Sequence, residues 1–133
     1  QLIEGVEAFM LKAKSLQADI RIVSHKTLYG HFDSSQINLR EAAMKWMEDQ
    51  GFFLKDRIGI SERAVHFLST RAEKIECIRD LDVDIFIDDL PELFNEQSFP
   101  TGVRKCLFTN GESAPKGKYE AFADWRKIKN ALF

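Results

Sequence analysis

Four short apolar runs, IRIV at 20–23, VHFL at 65–68, VDIFI at 83–87 and VRKCLF at 103–108, are separated by stretches of a different period. The runs are rich in β-branched and aromatic residues, which suits strands buried on both faces. Between them, apolar residues recur at helical spacing. Val6, Phe9, Met10, Ala13 and Leu16 predict a helix over 2–16, and Leu39, Ala42, Ala43, Trp46 and Met47 predict one over 39–50, stopped by Gly51. Thr70, with Glu73 three residues on, reads as a capping box opening a helix that runs to about 81. Pro91 opens a short helix over 91–94, and Phe122, Trp125, Ile128 and Leu132 predict a last helix over 119–133. The stretches 25–36 and 110–118 read as loops. Strands alternating with helices imply an α/β fold, an open and mostly parallel sheet with helices on both faces.

Size and charge narrow the function. A chain of 133 residues fits one domain, and its eleven Phe supply ample core material. A net charge of -2 offers no basic field for nucleic acid. No apolar run approaches the roughly 18 residues of a membrane span, and no signal peptide is visible. Cys77 and Cys106 each stand alone in apolar surroundings. They are expected to be buried free thiols, in keeping with a reducing, cytoplasmic setting.

In open α/β sheets ligands bind at the carboxyl ends of the strands. Ser24 follows the first run, and Asp88 and Asp89 follow the third, so all three are expected on one rim. Two adjacent carboxylates repel unless a cation or hydrogen-bond donors offset them. Magnesium, which takes oxygen ligands and keeps several waters, would do so. A hydroxyl from Ser24 and an ammonium from Lys74, at the start of a helix, would complete a phosphate site. Plainer roles stand beside these. The aspartates could cap the helix at Pro91, Ser24 could be a turn residue, and Lys74 could be solvated, although the helix dipole disfavours a cation there. His25, His31 and Lys26 lie where they could contact an anionic substrate, and Arg71 could widen the positive field. Zinc at the two histidines would need further ligands. His66, Trp46 and Trp125 read as core or semi-buried residues.

IRIVS, then RAEK at the start of a helix, then IFIDD resemble the second, third and fourth motifs of the haloacid dehalogenase superfamily, in that family's order. The wider wording, SHKT, LREAAMKWM and STRAEKIECIRDLDVDIFIDDLPELF, is similar to an uncharacterised phosphatase-like branch. The resemblance implies a Rossmann-like domain with a small cap or none, and a magnesium-dependent phosphohydrolase acting on a small phosphorylated substrate. It implies that Ser24 binds the transferring phosphoryl group, that Lys74 steadies the phosphate, and that Asp88 and Asp89 hold magnesium. His25 and Lys26 would contact substrate.

The family's first motif, DxDx(T/V), supplies the nucleophile and the general acid–base, and it precedes the helix that here starts near Leu2. The one D-x-D run, Asp80, Asp82 and Asp84, lies at a helix end with no apolar strand before it and reads as a solvated turn. The chain begins at Gln1, not Met. The expectation is that an N-terminal strand with the nucleophile is missing and that the chain is inactive as given, or is a non-catalytic phosphate-binding or protein-interaction module. In the family that strand lies between those ending here at Ser24 and Asp88. Unpaired buried backbone groups cost about 1–3 kcal/mol each, so an empty gap is not expected. The two strands should pair directly, or something should fill the space.

Overall fold

The computed structural model describes residues 3–26 and 38–133. The predicted loop 25–36, including His31, therefore lies largely outside the described residues.

All four apolar runs form strands, shifted by one or two residues where they differ. β1 (Ile22–His25) pairs in parallel with β2 (Val65–Leu68), with Ile22 opposite Val65 and His25 opposite Leu68. β3 (Ile85–Asp88), β4 (Arg104–Phe108) and β5 (Glu120–Phe122) make a second parallel sheet in the order β3-β4-β5. Ser24 and Asp88 are thus within the last two residues of their strands, not beyond them.

The helices are α1 (Val6–Ser15), α2 (Leu39–Asp49), α3 (Arg71–Asp80), α4 (Pro91–Asn95) and α5 (Trp125–Leu132). α2 starts where the Asn38 side chain accepts from the Arg40 and Glu41 N–H groups. It ends before Gly51, whose φ of 81° suits a residue without Cβ. α3 starts at Thr70, whose hydroxyl oxygen accepts from the Glu73 N–H at 3.1 Å. The last predicted helix is corrected. Residues 120–122 pair with β4, and the helix begins only after Asp124, whose side chain accepts from the Lys127 N–H at 2.8 Å. A bidentate pair between Arg104 and Glu120, at 2.8 and 3.0 Å, ties β5 to β4.

Side chains of β1 alternate between two cores. Ile22 packs with Val65 and Phe67 against Met47, Phe52 and Ile58, which come from α2 and the loop after it. Val23 points the other way, against Ile75 and Ile78 of α3, Phe86 of β3 and Leu107 of β4. Helices therefore cover β1 on both faces, and α2 with its following loop is core cover and not a lid. α1 and α5 meet through Phe9 and Trp125, with ring centroids 5.1 Å apart, and Trp125 stacks on Phe108 of β4.

The two sheets are not joined to each other. β1 and β3 each have one unpaired edge, and residues of both line a cavity of about 880 Å³. The expectation of direct pairing or a filled space is overturned for this chain alone. The cavity opens to solvent, so water can meet the idle backbone groups and the cost of full burial does not apply. Meanwhile α3 packs on β1, on β2 and, through the shared core, on β3 and β4. The cavity also explains Trp46. It was expected in the core, but it lies beside the opening and is 41% exposed, with its ring edge on Phe52. His66 is semi-buried as expected, yet its Nε2 is buried with no hydrogen-bond partner among the described residues.

Candidate functional site

Lys74 lies in the first turn of α3 and is only 9% exposed. A cation there opposes the helix dipole and loses most of its water. Its compensation is Asp88: Lys74 Nζ donates to Asp88 Oδ2 at 2.7 Å, and both side chains are nearly buried. The ammonium also sits 5.7 Å from the centre of the Phe86 ring. The structure thus brings together two of the predicted site residues, Lys74 and Asp88. It also shows that Lys74 is not solvated.

Asp88 Oδ1 accepts from the Leu90 N–H at 2.9 Å, just ahead of α4. The plainer role of the aspartate, fastening the backbone before Pro91, is therefore real and coexists with the ion pair. Asp89 follows at the surface. Partial loss of water pushes its carboxyl above the usual carboxylate range, the neighbouring Asp88 charge adds to this, and Lys74 opposes it. Each oxygen of Asp88 already has a partner, while Asp89 lacks one among the described side chains.

Across the cavity, Ser24 is half-buried in β1 and lines the opening with Lys26. His25 is exposed, and its Nε2 lies 2.7 Å from the Ser69 carbonyl. A carbonyl only accepts, so Nε2 carries the proton, and the neutral ring keeps only an acceptor at Nδ1. His25 can donate to a phosphate only when doubly protonated, which weakens the expected substrate contact. Arg40 was not singled out in the sequence. Its guanidinium donates to the Lys26 carbonyl at 3.0 Å and to Ser69 Oγ at 2.8 Å, fastening the end of β1 to the loop before α3. Only its place at the second position of an amphipathic helix marked it beforehand, and that is ordinary for arginine. Arg71, expected to widen the field, is paired with Glu96 at 3.0 Å.

Among the described residues no three His, Cys, Asp or Glu side chains form a metal-holding group. Asp88 and Asp89 fit a hard cation that keeps most of its ligands as water, which is magnesium's habit. They do not fit zinc, whose sites use several nitrogen or sulfur donors. Asp82 and Asp84 lie at the start of β3, the opposite end from Asp88, and Asp82 takes a left-handed φ of 52° in the turn. The D-x-D run is therefore a turn, as read. Comparison with protein-family models, curated proteins and solved structures found no match.

Proposed function

We propose that the C-terminal ends of β1 and β3 form the cation- and phosphate-binding part of a magnesium-dependent phosphohydrolase site of haloacid dehalogenase type, acting on a small phosphorylated substrate. The observation that carries it is the buried Lys74–Asp88 pair at 2.7 Å, an expensive arrangement at a helix start that stability alone does not call for. In this reading Asp88 and Asp89 hold magnesium, which when bound neutralises phosphate charge. Lys74 turns toward the phosphate oxygens, Ser24 Oγ donates to the phosphoryl group, and Lys26 adds positive charge at the mouth. No described side chain on this rim is free to act as the nucleophile, because Asp88 is committed to Lys74 and Leu90. Those same commitments favour a second reading, a non-catalytic phosphate-binding or interaction module on the same fold.

Amide chemical shifts followed by NMR during addition of magnesium and then orthophosphate test the site. Ser24, Asp88 and Asp89 should respond to both, and Asp88→Asn/Asp89→Asn should lose the response. An identical response in the double variant would defeat the binding reading. Aryl phosphate turnover in magnesium separates the alternatives. None is expected from this chain, and turnover that Asp88→Asn abolishes would remove the non-catalytic reading.

A further inference from the structure

The free edges of β1 and β3 can be assigned group by group. In a parallel ladder, alternate residues direct both N–H and C=O to opposite sides of the strand. Lys26 N–H donates to the Leu68 carbonyl, so Lys26, Ser24 and Ile22 face β2, and Val23 and His25 face away. The Arg104 N–H donates to the Asp84 carbonyl, so Asp84, Phe86 and Asp88 face β4, and Ile85 and Ile87 face away. The four outward residues thus carry four N–H and four C=O groups without a strand partner among the described residues. Val23, Ile85 and Ile87 line the cavity. Its other walls are largely apolar, with Phe9, Trp46 and Trp125 among them.

A cavity of about 880 Å³ is within the range of small-molecule sites. An apolar small molecule, however, would leave both rows of backbone groups unmet. An extended peptide meets both rows at once, because its own alternate residues face alternate sides. Its charge is indicated as well. At the end where β1 and β3 begin, the cavity is lined by Asp19, Asp82 and Asp84. Arg21 pairs with Asp19, while Asp82 and Asp84 have no ion-pair partner among the described residues. We propose that this chain docks an extended apolar segment of another polypeptide between β1 and β3, parallel to both. The segment spans about four or five residues at about 3.3 Å each, and basic residues precede it and meet Asp82 and Asp84. This proposal does not depend on phosphate chemistry at the rim.

The test is amide hydrogen exchange with synthetic peptides, each a β-branched apolar pentamer preceded by two lysines. Without peptide, the amides of Val23, Ile85 and Ile87 should exchange fast, while Ile22, Ser24 and Phe86 stay protected. The peptide should slow the first group by at least about tenfold. A peptide N-methylated at alternate residues should not, and Asp82→Asn/Asp84→Asn should weaken the effect of the lysine peptide without changing the circular dichroism spectrum. Four results would overturn the proposal. They are slow exchange at the three amides in the free chain, protection that appears only as protein concentration rises, equal protection by the N-methylated peptide, and no protection at millimolar peptide.

Discussion

At the residue scale, the Lys74–Asp88 pair makes the sharpest demand. Removing one partner leaves the other buried and uncompensated, so Lys74→Met should destabilise the fold by about 3–5 kcal/mol. The double variant Lys74→Met/Asp88→Leu should recover much of that loss. Urea denaturation of the four chains, read as a double-mutant cycle, checks it, and additive losses would mean that the two groups act separately. Asp89 gives a pH dependence of the opposite kind. Its folded-state pKa is raised, so the native state holds the proton more tightly than the unfolded chain. Stability should therefore fall as pH rises from the unfolded pKa through the folded one. Asp89→Asn should be the more stable chain at neutral pH and lose that advantage in acid, by a small margin because the residue is exposed. Thermal melts across pH 3–7 would show it. The thiols divide, contrary to the sequence expectation of two buried ones. Cys106 is fully buried and its thiol is pushed up to about 11, whereas Cys77 is half-buried. A thiol reagent at pH 8 should label Cys77 slowly, and Cys106 only after unfolding.

At the element scale, most of the chain was legible because period and punctuation agreed. Gly51, Thr70 and Pro91 each mark a boundary found in the structure, and β2 matches its sequence run end to end. What failed has a local cause. Three residues are too few for an alternating pattern to declare itself, and Phe122 happens to stand at helical spacing from Trp125. The β5 strand was therefore absorbed into the helix that follows it. Its evidence lay elsewhere in the chain, in Glu120 answering Arg104 across the ladder. The site was legible to the same degree. Ser24, Lys74, Asp88 and Asp89 were read from strand ends and a helix start. Arg40 was not, since its role comes from contacts with Lys26 and Ser69, both remote in sequence. The caps can be measured. Thr70→Ala and Asp124→Ala should each cost about 1 kcal/mol, and a full-stability Asp124→Ala would mean that α5 is held by its apolar face alone.

At the scale of the whole molecule, the cores are unequal. Around α3 and β3, seven buried residues cluster, including Phe86, Phe94 and Phe99, against three around Met47. Phe94 is 1% exposed and meets the rings of Phe86, Phe99 and Tyr119. Phe94→Ala should therefore remove about 3–5 kcal/mol, a large share of the roughly 5–15 kcal/mol of a domain this size. The two ladders bear on how the molecule comes apart. Among the described residues no backbone hydrogen bond crosses from one sheet to the other, so α3 and its side chains carry that connection. Hydrogen bonds fix register, whereas apolar contacts tolerate sliding. Unfolding of the isolated chain should accordingly lose its all-or-none character. The β1–β2 ladder should open as its own cooperative unit, at a lower free energy than the three-stranded ladder packed on the larger core.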